Sequence, residues 1–372
     1  MGLRSFSLAA LALLGLPGSS TELYFQPAEN TTLERSVEVF ASIDLDDAEI
    51  TAMGQTMGPE AMGRDFSDAS AEMTLDFTQV DLYHSSERGH ALSLLRTFGQ
   101  GRFNGDPLPD EGPRSVQFDW DGATKRHTAS LPEGSDQDAE DEQIQRILTV
   151  MRGEVDAQFL LPSEAVEPGA AWEVELGLQE LLDLILPGLD VEQSMALAKV
   201  MMEEEMAKAD EDQADEIAIC RQLMNDLTVQ MQGALKPIVA QVSLASIETI
   251  EGRQVARLPF TFEVAFDLDP AATILAALEQ SEEAPELKNF RFEIHLSAEM
   301  EGELLWDVEG KFSRELSLNG DYSIDASGGA LVVMEEMGEM PFEGLVAFSG
   351  AIESTHRSTT PAAAEEAAAK AQ

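Results

Sequence analysis

Hydrophobic and polar positions alternate with period two along most of this chain, the pattern of half-buried strands. Residues 36–43 (SVEVFASI) alternate and predict a first strand. Within 71–83, Met73, Leu75 and Phe77 face one way while Thr74, Asp76 and Thr78 face the other. A further strand is expected over 90–98. Val116, Phe118 and Trp120 alternate with Gln117 and Asp119, Asp121-Gly122 signals a hairpin, and 125–131 reads as the return strand. Residues 51–70 carry Met53, Met57 and Met62 among Gly54, Gly58, Pro59 and Gly63, breakers that predict a loop or short helical insert.

The period then changes. Ile144, Ile147, Leu148 and Met151 have helical spacing. Pro168-Gly169 suits the centre of a type II turn leading into a strand at 171–176. Leu178, Leu181, Leu182, Ile185 and Leu186 fit a helix stopped by Pro187-Gly188. Asp190 with Gln193 resembles a capping box for a second helix bearing Met195, Leu197, Ala198, Met201 and Met202. A third, about 212–232, carries Ile219, Leu223, Leu227 and Met231 and ends at Gly233 and Pro237.

From 237 strands return: 239–250 pairs with 254–268 across Glu251-Gly252-Arg253, and 270–278 is a short helical turn. Stretches 290–300, 302–308, 311–325, 331–336 and 343–356 alternate, with breaks at Glu309-Gly310, Asn319-Gly320 and Gly328-Gly329. Asn319-Gly320 is also readable as a bulge inside one long strand. The implied fold class is α+β, mainly antiparallel β: a large curved sheet or half-open barrel with a helical insert packed on one face. One β-rich domain is expected over 36–357, with the insert at 177–235.

The ends read differently. Arg4, the apolar stretch 8–16, and Gly18 and Ser20 as small residues predict a signal peptide over 1–20, too short to span a bilayer. A flexible arm at 21–35 and a disordered Ala/Glu-rich tail at 358–372 are expected. The protein is therefore expected to be exported, to periplasm or medium, without stable membrane insertion. The net charge of −47 in 372 residues argues against nucleic acid and anionic lipid surfaces as partners. The single cysteine, Cys220, rules out an internal disulfide and reads as a buried structural thiol.

Two segments carry a resemblance. Residues 160–175 (LLPSEAVEPGAAWEVE) resemble the Leu-Pro, Val, Gly, Trp signature of an uncharacterised group of exported bacterial β proteins. Residues 300–324 are similar to that group's Gly, Asp, Gly segment, here Gly302, Asp307 and Gly310. The layout is similar to the lipoprotein carrier LolA, which implies a half-open barrel with helices plugging its concave face.

Candidate chemistry is sparse. Met334, Met337 and Met340 have a spacing that soft Cu(I) sites use, or are strand core and loop. Met195, Met201, Met202 and Met206 read as helix core or an adaptable apolar surface. His84, His90, His127, His295 and His356 lack zinc spacing and read as exposed sheet residues, with His84 and His90 able to approach across a turn. Asp44, Asp46 and Asp47, and Asp136, Asp138 and Asp141, offer oxygens to calcium but match no EF-hand loop and read as solvated loops. No hydrolase motif occurs, so no catalytic residue, metal or cofactor is assigned and the chain reads as no enzyme. The leading expectation is a binding protein holding an apolar small molecule or lipid in the sheet's concavity, with Leu181, Ile185, Met201, Met202, Phe262 and Phe266 as wall residues. The alternative is a non-enzymatic structural or interaction protein of the cell envelope.

Overall fold

A computed structural model gives the fold and describes residues 20–58, 70–109, 112–138, 140–207, 237–278, 286–334 and 338–361. In chain order the strands and helices are β1 (Thr31–Ala52), β2 (Gln55–Met57), β3 (Ala71–Glu87), β4 (His90–Phe98), β5 (Arg102–Phe103), β6 (Asp106–Pro107), β7 (Ser115–Asp121), β8 (Arg126–Ser130), α1 (Glu142–Val150), β9 (Ala171–Leu176), α2 (Leu178–Ile185) and α3 (Val191–Ala207). There follow β10 (Ile238–Ser243), β11 (Ser246–Ile250), β12 (Arg253–Leu268), α4 (Ala271–Leu278), β13 (Glu286–Asp307), β14 (Phe312–Met334) and β15 (Gly338–Thr359). The path β8-β7-β4-β3-β1-β15-β14-β13-β12-β10-β9 forms one unclosed sheet, antiparallel at every pairing. The expected fold class holds: α+β, mainly antiparallel β, with one large curved, unclosed sheet.

Curvature follows from the core. Leu94 and Phe118 from one end of the path share a hydrophobic cluster with Leu176 and Ala240 from the other. Ile144 and Leu148 of α1 and Leu184 of α2 join it. A sheet of this width cannot stay flat because each strand twists relative to its neighbour, and here the curl brings both ends into one core, β8 beside α1 and β9 beside α2. Each helix has a local cause. Asp141 caps α1 by accepting from the Gln143 and Ile144 amides. Asp190 Oδ1 accepts from Gln193 N at the start of α3, but the Asp190 amide donates to Val150 O, so only half of the expected box forms. Gly188, at φ 92°, ends the α2 region as the Pro-Gly pair predicts.

The two resemblance segments prove to be turn chemistry. Gly169, at φ 93°, takes the third position of the turn and Ala170 N donates to Glu167 O. Trp172 Nε1 donates to Leu160 O, which pins the segment before β9 to the sheet edge. Asp307 is fully buried and its Oδ1 accepts from the Glu309 and Gly310 amides, closing the β13–β14 turn.

Several expectations are corrected. The 21–35 arm is packed structure: Leu23 and Phe25 are buried, Thr21 bridges Val166, and β1 begins at Thr31. The apolar side chains of 23 and 25 outweigh the polar composition around them. Residues 51–57 form a β1–β2 hairpin through Met53 and Gly54, both at positive φ, with no helix. The stretch 239–250 splits at Leu244, whose amide leaves the ladder for Ala170 O. The expected tail begins too early, because β15 runs to Thr359 and buries Ser358 beside Arg35.

The largest correction concerns the glycines. Asn319-Gly320 and Gly328-Gly329 end no strand: β14 runs through both, Asn319-Gly320 in unbroken register inside one long strand and Gly329 beside a register shift between Lys288 and Arg291. A Cβ at Gly302 would strike the Phe260 ring, at Gly320 the Met300 sulfur and at Gly350 the Tyr322 ring. These glycines make room for a neighbouring strand's large side chain, a demand that looks like a turn signal in sequence. The expected leader at 1–19, Met62, the rest of the insert from 208 with Cys220, Met337, and the tail from 362 lie outside the described residues.

Candidate functional site

The central strands are long. β1, β13 and β15 have 22 residues each and β14 has 23, so they extend about 70 Å. Register shows which residues share a face, because directly paired residues point the same way. In the near half the inward face is packed: Leu258, Leu304, Leu316, His356 and Val37 stand in one row across five strands, all buried. The same face continues into the far half. Phe266, Leu296, Ile324, Phe348 and Leu45 form one row, and Leu268, Ile294, Ala326, Val346 and Ala48 the next. Phe266, Leu296, Ile324, Phe348 and Leu45 are half-buried, with none of the near half's zero exposures. Alternating positions on the other face are polar: Asp267, His295 and Asp325 are one row, Glu263, Glu299 and Asp321 another. The far half therefore continues the apolar face of the core, with Leu268 and Ala48 buried and α4 packed against β13.

Helix α2 lies where the two halves meet. It packs on β14 and β15, and Leu181 and Ile185 are half-buried against the core cluster. Its end is held from below: Ser354 Oγ donates to Ile185 O at 3.0 Å, and His356 Nε2 lies 3.2 Å from the same oxygen. Burial drives the His356 pKa down to about 4, with Arg35 adding to the effect, so the ring is neutral at pH 7. Of the expected wall residues, Phe262 is buried in the core where the halves join, and Phe266 lies in the first far row. Met201 departs from the expectation. It sits on α3 with 50% exposure, since α3 turns that side outward. The Met202 side chain lies outside the described residues.

A second cluster was not read from sequence. Arg35 Nε donates to Asp81 Oδ2 at 2.9 Å and its Nη2 to Asp156 Oδ2 at 2.9 Å. Arg96 Nε donates to Asp81 Oδ1 at 2.8 Å, and its Nη atoms reach the Arg152 and Gly153 carbonyls. All four charged side chains are buried. Burial opposes the charge on Arg35, but Asp156, Tyr83 and Asp81 outweigh it and hold it protonated; burial also pushes the Tyr83 phenol up. Two Arg and two Asp neutralise one another and tie 152–156 to β1, β3 and β4. The signal was present: Arg35, Asp81 and Arg96 occupy inward positions of alternating strands, beside Leu33, Tyr83 and Leu94.

Beside this network a cleft of about 570 Å³ is lined by Lys125, His127, Arg152, Glu154, Gln179 and Asp190, among others. Arg152 pairs with Glu154 at 3.3 Å and Asp183 at 2.9 Å, and His127 Nδ1 lies 3.5 Å from Glu154. Burial works against ionised Glu154, but His127 and Arg152 hold it low; burial pushes Asp183 up to about 7 against the pull of Arg152. These groups are engaged with one another and join α2 to the loop after α1.

The remaining candidates are structural. His127 and His356 are buried, contrary to the expectation of exposure, because they point inward from β8 and β15. His90 stacks on Trp120 at 4.1 Å and bonds Glu87, and no contact with His84 is seen. His295 pairs with Asp267 at 2.6 Å. Asp46 accepts from Ser349, Asp138 accepts from Glu140 N, and Met340 is buried. Among the described residues no three His, Cys, Asp or Glu side chains gather as a metal-binding group. No helix among them is long and apolar enough to cross a membrane.

No family model matches the chain, and no curated protein matches it. Solved structures show only faint likeness, and two examples show its extent. One, of engineered proteins with asymmetric conductivity, is 8% identical over 86% of this chain and 99% of its own, at a TM-score of 0.13. The other, a deltaS2 mutant of the TodX monoaromatic hydrocarbon channel, is 8% identical over 92% and 97%, at 0.09. Scores that low assign neither fold nor function.

Proposed function

We propose that this protein binds an apolar ligand, a lipid or a similar small molecule, against the far half of its curved sheet. One observation carries the reading: the apolar face of the packed core continues across five strands past α2, where the row of Phe266, Leu296, Ile324, Phe348 and Leu45 is only half-buried. A broad apolar surface continuous with a core stabilises an apolar occupant by roughly 25 cal/mol per Å² removed from water. The charged clusters support a binding module over an enzyme, since their charges are matched inside the fold. Leu181, Ile185, Phe262 and Phe266 supply the wall at its inner end. The resemblance to exported β proteins and the LolA carrier agrees with such a use, and export through the 1–20 leader is part of the same proposal.

Native mass spectrometry of the chain, purified without detergent, tests it. A mass excess of a few hundred daltons (on the order expected of a lipid-sized ligand) that disappears on denaturation supports the reading. A bare chain that also fails to take up a neutral apolar fluorophore ends it.

A further inference from the structure

We propose that the outer edge of far β12 is a docking site for an extended peptide strand with basic and apolar side chains at alternate positions. This goes beyond the ligand reading and does not depend on what lies against the apolar face. The first observation is an open ladder. β12 pairs with β13 in unbroken register from Val255 to Leu268. On its other side it pairs with β11 as far as Arg257 and with β10 only at Phe260 and Thr261. Among the described residues no strand pairs with that side from Phe262 to Leu268. Alternation along an antiparallel strand tells which backbone groups point there. Gln254 O accepts from Val308 N, so even-numbered residues turn their backbone groups towards β13. Arg257 O accepts from Ala245 N, so odd-numbered residues turn theirs away, and Pro259, which has no N–H, is one of them. Glu263, Ala265 and Asp267 therefore each hold an N–H and a C=O at the open edge. Such a row is a template for one more strand.

The second observation is the charge along that edge. Glu263, Ala265 and Asp267 are exposed on the polar face of the sheet, so an added strand's side chains on the same face become their direct neighbours. Glu263 stands in one row with Glu299 and Asp321, and none of the three pairs with a basic side chain among the described residues. With Glu301 and Glu353 they line a trough of about 530 Å³, which Val239 and Gln241 of β10 also line. Like charges side by side destabilise a sheet, and a Lys or Arg placed next to Glu263 relieves them. The alternate positions Val264, Phe266 and Leu268 belong to the apolar face, so the added strand needs apolar residues beside them. A second copy of this chain fits badly. Antiparallel self-pairing centred on Ala265 sets Glu263 of each copy opposite Asp267 of the other.

The test uses the full chain and fluorescein-labelled peptides in about 0.1 M salt, read by fluorescence anisotropy. The basic probe is Val-Lys-Val-Thr-Val-Lys-Val, whose lysines fall opposite Glu263 and Asp267, and the acidic probe has Glu in place of both lysines. The basic probe is expected to bind roughly tenfold more tightly than the acidic one. N-methylation of its threonine and one lysine, whose N–H groups face β12, should weaken it by about tenfold while keeping its charge. Ala265→Pro removes an outward N–H, leaves the β13 ladder whole, and should weaken binding by a similar factor. Glu263→Gln with Asp267→Asn should bring the two probes within about twofold. Asp136→Asn with Asp138→Asn, an equal charge change in the loop before α1, should leave their gap intact. Equal binding of the two probes, or binding that survives N-methylation or Ala265→Pro, overturns the docking edge. A gap that survives the Glu263 and Asp267 changes, or closes equally with the Asp136 and Asp138 changes, overturns the basic partner. The N-methylated probe leaves the protein unaltered, so it decides the matter even where Ala265→Pro fails to fold. No binding of the basic probe overturns this inference alone, since uptake of the neutral fluorophore is measured separately and decides the ligand reading.

Discussion

The near and far halves of the sheet are made by the same strands with the same alternation, yet they differ in what covers them. In the near half α1, α2 and the N-terminal segment fill the curl, and Leu304, Leu316 and Leu258 are fully buried or within 1% of it. That burial is bought with polar groups that must satisfy one another: Arg35, Asp81, Arg96 and Asp156 are all dry and all paired. In the far half the inward rows stay apolar and contain no buried ion network among the described residues; the row of Phe266, Leu296, Ile324, Phe348 and Leu45 is half-buried, while Leu268 and Ala48 in the next are buried. The comparison teaches that a strand pattern specifies a face and not its covering. Stability should therefore reside in the near half and binding in the far half.

The largest effect should come from Asp81→Ala. It leaves Arg35 and Arg96 buried without their shared carboxylate, at a cost of about 3–5 kcal/mol in denaturant unfolding. A loss under about 1 kcal/mol would show that water enters the near half and would collapse the contrast.

Next comes the pH dependence of the joint between the halves. Burial holds the His356 pKa in the folded state at about 4, against 6.5 for a free imidazole. The unfolded state binds the proton more readily, so the contribution is complete above pH 6.5 and is lost as pH falls towards 4, by about 3 kcal/mol. Asp183 has the opposite sign. Its folded carboxyl is raised to about 7 from 3.8, so its unfavourable contribution above pH 7 is relieved as pH falls towards 3.8. The two slopes oppose each other in the wild-type protein. His356→Gln should leave stability rising on acidification from pH 7, and Asp183→Asn should leave it falling below 6.5. Parallel pH profiles for the two variants, measured by chemical denaturation, would refute the assignment.

A smaller effect is expected at a helix start. Asp141→Ala removes the acceptor for two amides of α1 and should cost about 1 kcal/mol, with Asp141→Asn restoring most of it. The smallest stability change belongs to the far half. Leu296→Ser should shift the unfolding free energy by under about 1 kcal/mol, well short of the 2–5 expected for Leu304→Ala, while abolishing uptake of the neutral fluorophore. If Leu296→Ser destabilises as much as Leu304→Ala, the far face is core and not surface.

Much of the fold was legible because its signals are local. The Asp121-Gly122 and Glu251-Gly252 hairpins and the Pro168-Gly169 turn depend on residues within four positions of one another. The glycine breaks misled because Gly320 and Gly328 answer to Met300 and Phe292, which arrive from another strand. The arm misled for the same reason: Leu23 and Phe25 pack against distant partners, Phe25 meeting Tyr83 edge-on at 5.9 Å. Of the expected wall, Phe266 was legible as an inward strand position. Met201 was not, because a helix with apolar residues on several sides does not announce which side faces the sheet.

By itself the amino-acid sequence determined the mainly antiparallel composition, the helical interruption, the acidity and the apolar faces of individual strands, since period, turn chemistry and charge are properties of neighbouring residues. Tertiary structure alone decided that the strands align their apolar rows in register, that two arginines and two aspartates meet in the core, and that α1 and α2 fill the near half of the curl. Those outcomes depend on which distant residues the curl brings together, and pairing of that kind leaves no mark in any short window of the chain.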